Sequence, residues 1–390
     1  MPLDARAAVG VVGAGAMGTG IAQVAAAAGH HVIVHDADAD AMTRARASLE
    51  KVHARLVEKG KLDAKAAKAT LARIEFAPAT DAFAPCGLVI EAVVEDLAVK
   101  HAVFTALEGV VDDGCLLATN TSSLSVSAIA SACRAGERVL GVHFFNPAPL
   151  MPLVEIVPAI QTSEDVVALT RKLVDGWGKT SVRAADTPGF IVNRVARPFY
   201  GEALRILDEG VADAATIDWA MTELGGFRMG PFALMDLIGN DVNYAVTEGV
   251  FRAFYNDPRY KPSFTQKRMV ESGLLGRKSG RGFYDYSKGT QNPDPRRHEP
   301  LGREILMRVL AMLINEAADA LFWGVASRDD IDLAMTKGVN YPRGLLRWAD
   351  ELGIPNVLAR LEALHREYAE DRYRPSPLLR RMEREGATFW

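Results

Sequence analysis

A chain of 390 residues with 49% hydrophobic and 24% charged side chains is long enough for two or three globular domains. Its net charge of −4 argues against a nucleic-acid partner, and no apolar run is long enough to span a bilayer, because Gln23, His30, His31 and Asp36 interrupt the longest candidate. Cys86, Cys115 and Cys133 have neither metal-ligand nor CxxC spacing, so neither a disulfide nor a metal site is expected; with acidic Asp4 close to the first strand and no signal peptide, this fits a cytoplasmic protein.

Residues 8–155 alternate strand-like and helix-like segments. Ala8–Val12 and His31–His35 read as buried parallel strands joined by a helix over Ala16–Ala28, and Leu88–Ala92, Leu116–Thr119 and Arg138–His143 add three more strands. Short apolar strands alternating with helices predict a doubly wound parallel α/β sheet. Beyond Pro188 the period changes to 3.6: Val195–Leu207 and Ile217–Leu224 carry apolar residues at helical spacing, and strand patterns disappear. Gly289, Pro293 and Pro295 mark 287–300 as a linker, and the helical pattern resumes at Leu301.

The helical part repeats itself. A gapless shift of 114 residues places Arg194–Val195 on Arg308–Val309, Glu202–Ala203 on Glu316–Ala317, Leu207 on Leu321, and Gly210–Val211–Ala212 on Gly324–Val325–Ala326. It also places Ile217–Asp218 on Ile331–Asp332, Ala220–Met221–Thr222 on Ala334–Met335–Thr336, and Gly230, Asp236 and Gly239 on Gly344, Asp350 and Gly353, for 16 identities in all. The expected organisation is a nucleotide-binding domain over 1–187, a first helical domain over 188–286, the linker, and a second, degenerate helical domain over 301–390.

Gly13-Ala14-Gly15-Ala16-Met17-Gly18 follows the first strand and opens the first helix. In a Rossmann-type βαβ unit the first glycine makes the turn, the second lets backbone approach a pyrophosphate, and the third lets helix pack on strand. Asp36 ends the second strand, where a carboxylate accepts hydrogen bonds from ribose hydroxyls and repels a 2′-phosphate; with Ala37 next, NAD rather than NADP is the expected cofactor.

A nucleotide fold does not specify a reaction. Three further segments do: Asn120-Thr121-Ser122-Ser123 after the strand Leu116–Thr119, His143-Phe144-Phe145-Asn146-Pro147 at the end of the next strand, and Leu153-Val154-Glu155-Ile156-Val157. Alone, His143 reads as a packed, hydrogen-bonded histidine. With Glu155 as a carboxylate partner, and Ser122 and Asn193 as hydroxyl and amide candidates, it reads as the base that takes a hydroxyl proton during hydride transfer.

The motifs GAGAMG, NTSSLS, HFFNP with LVEIV, PGFIVNR and GRKSGRGFYDY occur in order over residues 9–286. In these the chain resembles the L-3-hydroxyacyl-CoA dehydrogenase family, within it the 3-hydroxybutyryl-CoA and phenylacetate-pathway (3-hydroxyadipyl-CoA) type, whose helical domains are of the 6-phosphogluconate-dehydrogenase-like kind. The resemblance implies reversible NAD-dependent oxidation of a 3-hydroxyacyl-CoA to the 3-ketoacyl-CoA. It implies His143 as base, Glu155 as its partner, Ser122 and Asn193 on the substrate oxygen, NAD contacts from Glu95, Lys100, Asn146 and Lys278, and a CoA contact from Lys59. Val52 stands where the family has a CoA-contacting serine. Single-repeat members dimerise through the helical domain, so a fused second copy implies a pseudo-dimer within one chain, with a homodimer through other surfaces also open.

Residues 44–73 agree from the bottom up. Nine basic side chains against three acidic ones give a local charge of +6, and Lys51, Arg55 and Lys59 recur on one helix face, with Leu49, Val52 and Leu56 expected to face inward. A solvated face explains this as well as an anionic CoA substrate does. Two competing functions are weaker. A β-hydroxyacid dehydrogenase needs a catalytic lysine on the first long helix after the sheet, where Gly189–Arg194 has none. A non-catalytic, crystallin-like relative is disfavoured by the intact Ser122, His143, Glu155 and Asn193. Because the sequence starts at the first Rossmann strand, no hydratase domain of the multifunctional fatty-acid enzymes is expected.

Overall fold

The computed structural model describes residues 7–390, so Asp4 lies outside it, and the chain divides into two compact units, one through Phe190 and one over Ile191–Trp390. The first is built on eight strands: β1 (Ala8–Val12), β2 (Val32–His35), β3 (Ile74–Phe76), β4 (Cys86–Glu91), β5 (Leu116–Thr119), β6 (Val139–Phe144), β7 (Leu153–Pro158) and β8 (Thr180–Arg183). They lie in the order β3-β2-β1-β4-β5-β6-β7-β8. Val9, Val11, Leu88, Ile90, Val142 and Ile156 are fully buried, as β-branched and leucyl side chains must be in a sheet covered on both faces. The helices are α1 (Ala16–Ala27), α2 (Ala39–Glu58), α3 (Ala64–Ala72), α4 (Leu97–Glu108), α5 (Val126–Ala130) and α6 (Glu164–Gly176).

The sheet departs from the all-parallel expectation at one place: β7 runs antiparallel to β6. The reason is chain length. Only residues 145–152 join them, and a parallel return needs a crossover of about a dozen residues or more. Short β3 and edge strand β8 are also additional to the five strands read from the sequence.

The second unit is helical: α7 (Val192–Val195), α8 (Arg197–Asp208), α9 (Ala214–Trp219), α10 (Pro231–Ile238), α11 (Asn240–Ala253), α12 (Phe264–Glu271), α13 (Glu299–Phe322), α14 (Arg328–Gly338), α15 (Leu345–Leu352), α16 (Ile354–Tyr368) and α17 (Pro377–Glu385). The two repeats, read from the sequence as separate domains, share this one compact unit. α13 is its axis: Arg308 to Ala320 is buried without a break, because helices of both repeats pack around it.

The repeats exchange buried charges. Arg194 Nε of the first repeat donates to Glu316 Oε1 of the second at 2.6 Å, and Arg308 Nε of the second donates to Glu202 Oε1 of the first at 2.6 Å. Tyrosine hydroxyls complete the exchange, Tyr260 to Glu316 at 2.6 Å and Tyr373 to Glu202 at 2.7 Å. Within each repeat the same carboxylates cap the same helices. Asp218 accepts the Phe232 and Ala233 amides at the start of α10, as Asp332 accepts Leu346 and Arg347 at the start of α15. A Cβ on Gly230 or Gly344 would stand 2.3 and 2.1 Å from those carboxylates, so both positions require glycine. Asp236 takes the Phe283 and Tyr284 amides, as Asp350 takes those of Phe389 and Trp390.

Candidate active site

The glycine loop performs three separate jobs. Gly13 sits at φ +104°, its amide donates to His35 O at 2.8 Å, and a Cβ there would lie 2.5 Å from Ala92 O. A Cβ on Gly18 would collide with Gly13 O at 1.9 Å, which is the close packing of helix on strand. Gly15, between them, faces open space: a Cβ there would meet nothing within 4 Å. Gly15 also N-caps α1 without a side-chain cap, and Ala16 and Met17 begin the helix with no acidic residue in its first turn. Free amides at a positive helix end beside an open glycine fit the pyrophosphate of NAD. Asp36 fixes the loop, accepting from the Ala14 amide at 2.6 Å and the Asp38 amide at 2.9 Å.

At the carboxyl edge of the sheet, Glu91 ends β4 fully buried. It accepts from Lys100 Nζ at 2.6 Å, Thr119 Oγ1 at 2.7 Å and the Val93 amide at 2.7 Å. Lys100 is only 1% exposed, and its ammonium also lies 3.3 Å from Glu95. It is therefore no solvated helix charge, and rather than presenting its ammonium to solvent it braces the loop that carries Glu95. Glu95 accepts from Thr121 Oγ1 at 2.6 Å, Ser123 Oγ at 2.8 Å and the Ser122 and Ser123 amides at 3.1 Å. Burial pushes the Glu95 pKa up, but the Thr121 hydrogen bond, the Lys100 charge and the serine donors outweigh it and hold the carboxyl below its ordinary range. Glu91 has no place among the sequence motifs, and Asn120 stands there only as the first residue of the Asn120–Ser123 segment, with no role of its own. Asn120 Oδ1 accepts the Phe144 amide at 2.8 Å, tying the Ser122 loop to the strand that bears His143. A carboxylate ending a central strand, nine residues before a lysine, was the available signal for Glu91.

His143 and Glu155 face each other as a register pair across antiparallel β6 and β7. Their side chains meet at 2.7 Å, His143 Nδ1 to Glu155 Oε2, with His143 5% exposed and Glu155 fully buried. A carboxylate only accepts, so the Nδ1 proton is fixed and Nε2 is left as the basic nitrogen. Phe145 and Phe190 hold the imidazole ring, with centroids 4.6 and 5.7 Å away. Ser122 is half-buried after β5, the neighbour of β6, and Asn146 is exposed just beyond β6. The sheet thus gathers the glycine loop, Asp36, Glu95, Lys100, Ser122, His143, Asn146 and Glu155 at its carboxyl edge, where open α/β sheets hold ligands.

Asn193 and Lys278 belong to the second unit. Asn193 is half-buried on α7, and Lys278 Nζ pairs with Asp241 at 2.6 Å. Lys59 caps the C-terminus of α2 and is exposed, as are Lys51 and Arg55. Val52 does not face inward as expected: it is 41% exposed, and buried His53 takes that place, with its Nδ1 on Leu49 O at 2.8 Å. The inward stripe runs Ala45, Leu49, His53 at strict four-residue spacing, which turns Val52 to the same outer side as Lys59.

Two family models cover most of this chain. The one described as 3-hydroxyacyl-CoA dehydrogenase, NAD binding domain, matches residues 8–187; the one for the C-terminal domain matches 189–286 and again 305–388. The chain belongs to the 3-hydroxyacyl-CoA dehydrogenase family. It is 41% identical to the 3-hydroxyadipyl-CoA dehydrogenase of Escherichia coli, over 95% of this chain and 96% of that one. A probable 3-hydroxybutyryl-CoA dehydrogenase of Deinococcus radiodurans is 42% identical over 71% of this chain and 99% of its own length. Among solved structures, a 3-hydroxybutyryl-CoA dehydrogenase from E. coli superposes with a TM-score of 0.91 at 39% identity, covering 96% of this chain and 98% of its own. As a member of this family the chain is an NAD-dependent oxidoreductase, and the repeated C-terminal match falls on the internal duplication. Among the described residues no helix is long and apolar enough to cross a membrane.

Proposed function

We propose that the chain oxidises the 3-hydroxyl of an L-3-hydroxyacyl-CoA to the ketone, reversibly, with His143 as the base. The observation that carries this reading is the buried His143–Glu155 pair. Nε2 of His143 takes the hydroxyl proton, and Glu155, 2.7 Å from Nδ1, stabilises the imidazolium that forms. NAD supplies the hydride acceptor. Gly13, Gly15 and the amides of Ala16, Met17 and Gly18 bind its pyrophosphate; Asp36 orients the ribose; Glu95, Asn146 and Lys278 add contacts, Lys100 acting through Glu95. Ser122 and Asn193 bind the substrate oxygen, and Lys59 takes a phosphate of CoA. The second helical repeat stands in for the partner subunit of single-repeat relatives, a reading supported by the reciprocal pairs Arg194–Glu316 and Arg308–Glu202. Buried Cys86 and Cys115, whose thiols burial pushes up to about 12, fit a reducing cytoplasm.

Following NADH absorbance with acetoacetyl-CoA tests the assignment. His143→Ala is expected to lower kcat by ~10²–10⁴-fold, and Glu155→Gln to lower it as well. Near-normal turnover in His143→Ala refutes it. The relatives' names point to two acyl classes, one ending in a carboxylate and one short and apolar.

A further inference from the structure

Arg197 is a buried cation without a counter-ion among the described residues. It opens α8 and is 8% exposed. Its Nη1 donates to Thr247 Oγ1 on α11 at 3.2 Å, its guanidinium lies 5.0 Å from the ring centre of Tyr200, and its Nε–H has no partner. Among the described residues no carboxylate pairs with it, whereas the neighbouring Arg194, Arg205, Arg259 and Arg308 each hold one. Burial pulls its pKa down, the Tyr200 and Tyr341 rings offsetting part of the shift. A desolvated guanidinium is costly to keep unless something compensates it.

A second donor waits beside it. Tyr341 is 6% exposed, its ring set between Phe199 and Phe227 with centroids 5.7 and 5.0 Å away, and its hydroxyl has no partner. Phe199 links it to Arg197: the Phe199 ring lies 5.7 Å from that of Tyr341 and 5.5 Å from that of Tyr200, the ring under the Arg197 guanidinium. Two buried donors share one locality and lack the same thing, an anionic acceptor.

The duplication shows that the fold does not need them. At the 114-residue shift Arg197 corresponds to Ala311, Thr247 to Leu361 and Tyr341 to Phe227. Each polar group of this cluster is apolar in the other copy, while the structural carboxylates Glu202, Asp218 and Asp236 reappear as Glu316, Asp332 and Asp350. Location adds a purpose. Arg197 follows Asn193 by four residues through Ala196, which is in right-handed helical conformation. That is one turn along the same face, roughly 6 Å between Cβ atoms, a gap that a few methylenes cross.

We propose that Arg197, Tyr341 and Thr247 form a carboxylate-binding site for the far end of the acyl chain, so that the preferred substrate is an ω-carboxylated 3-hydroxyacyl thioester. This rests on the dehydrogenase reading, with Asn193 at the 3-oxygen. Arg197 supplies the charge, Tyr341 and Thr247 the hydroxyl donors, and Tyr200 covers the guanidinium face. An uncharged acyl tail leaves both unpartnered donors buried and unsatisfied, which is how polar sites discriminate strongly.

Adipyl-CoA and hexanoyl-CoA have equal chain length and no 3-hydroxyl, so both bind without reacting. Calorimetry on the full-length, NAD-loaded enzyme is expected to give a Kd for adipyl-CoA at least ~10-fold below that for hexanoyl-CoA. Arg197→Met should collapse the ratio to near one, and Tyr341→Phe, which copies Phe227 of the first repeat and keeps the ring packing, should reduce it about threefold or more. A wild-type ratio near one overturns the proposal, as does an unchanged ratio in the folded Tyr341→Phe and Arg197→Met proteins; if Arg197→Met does not fold, Tyr341→Phe decides. NAD-dependent turnover of the wild type, followed with both acetoacetyl-CoA and an ω-carboxylated 3-hydroxyacyl-CoA, is the separate control. Absence of turnover with both sinks the dehydrogenase reading, while the binding ratio still decides whether Arg197 reads a carboxylate.

Discussion

Replacing Glu316 by Gln removes one charge and almost no volume from the junction of the two repeats. Glu316 is fully buried and receives Arg194 at 2.6 Å, Tyr260 at 2.6 Å and Arg259 at 3.3 Å. Arg259 retains Asp319, but Arg194 loses its carboxylate while remaining 4% exposed. Removing one partner of a buried pair costs about 3–5 kcal/mol, far more than the pair contributes relative to an apolar replacement. For a unit of this size each kcal/mol shifts Tm by about 2–4 °C, so calorimetry should show the helical unit melting roughly 6–20 °C lower. Glu202→Gln offers a built-in replicate. Its carboxylate is equally buried and takes Arg308 at 2.6 Å, Tyr373 at 2.7 Å and Arg205 at 2.8 Å, so the loss should be of the same order. In both carboxyls burial pushes the pKa up, but the facing arginines outweigh it and hold the group below its ordinary 4.5. Such a group contributes its full stabilisation above the unfolded value and loses it as pH falls through the folded one. Acid destabilisation should therefore begin below about pH 4.5 and be shallower in each variant than in the wild type. A Tm change under about 2 °C in both variants would refute the claim that reciprocal charges hold the repeats together.

Two further outcomes test the ligand contacts. Because Asp36 presents a carboxylate at the end of β2, kcat/KM with NADH should exceed that with NADPH by ~10²-fold or more, and Asp36→Ser should narrow the gap; comparable wild-type values would remove Asp36 from the ribose site. Lys59→Glu should raise KM for a CoA ester ~10-fold while leaving an N-acetylcysteamine thioester, which has no phosphates, nearly unaffected; equal effects on both would make the exposed row Lys51, Arg55, Lys59 a solvated helix face and nothing more.

The sequence is most legible where function and local period coincide. β1 and β5 fall at Ala8–Val12 and Leu116–Thr119 as read, because each is a short apolar run closed by a turn. β7 was visible only as a motif, since nothing in Leu153–Val157 announces its direction; the short connection before it does, and that constraint concerns geometry rather than composition. Val52 was misplaced because Leu49, Val52 and Leu56 satisfy helical spacing as well as Ala45, Leu49 and His53 do. Tertiary packing chose the second set, burying an imidazole whose Nδ1–H donates to Leu49 O. The Lys100–Glu91 pair was half legible: a carboxylate closing β4 nine residues before a lysine is visible in the sequence, but the burial that brings the two side chains together from different elements is not.

The internal repeat supplies the comparison that a single sequence lacks. Residues that return in the second copy in the same structural role are those the fold requires: Asp218 and Asp332 cap equivalent helices, Gly230 and Gly344 yield space to them, and Arg194 and Arg308 reach across to opposite carboxylates. Residues that do not return are candidates for chemistry. Asn193 becomes Met307 and Arg197 becomes Ala311, and Lys278 with its Asp241 partner has no such pair in the second copy, where Pro355 occupies the place of Asp241. The second copy therefore keeps the scaffold of the first while lacking counterparts of Asn193, Arg197 and the Lys278–Asp241 pair. A chain that had merely duplicated a domain would be free to lose either set. This one has kept the charges that join the copies, while Asn193 and Arg197 occur in the first copy alone, which is the pattern expected if the second copy serves to hold α7 and α8, and with them Asn193 and Arg197, in a fixed geometry.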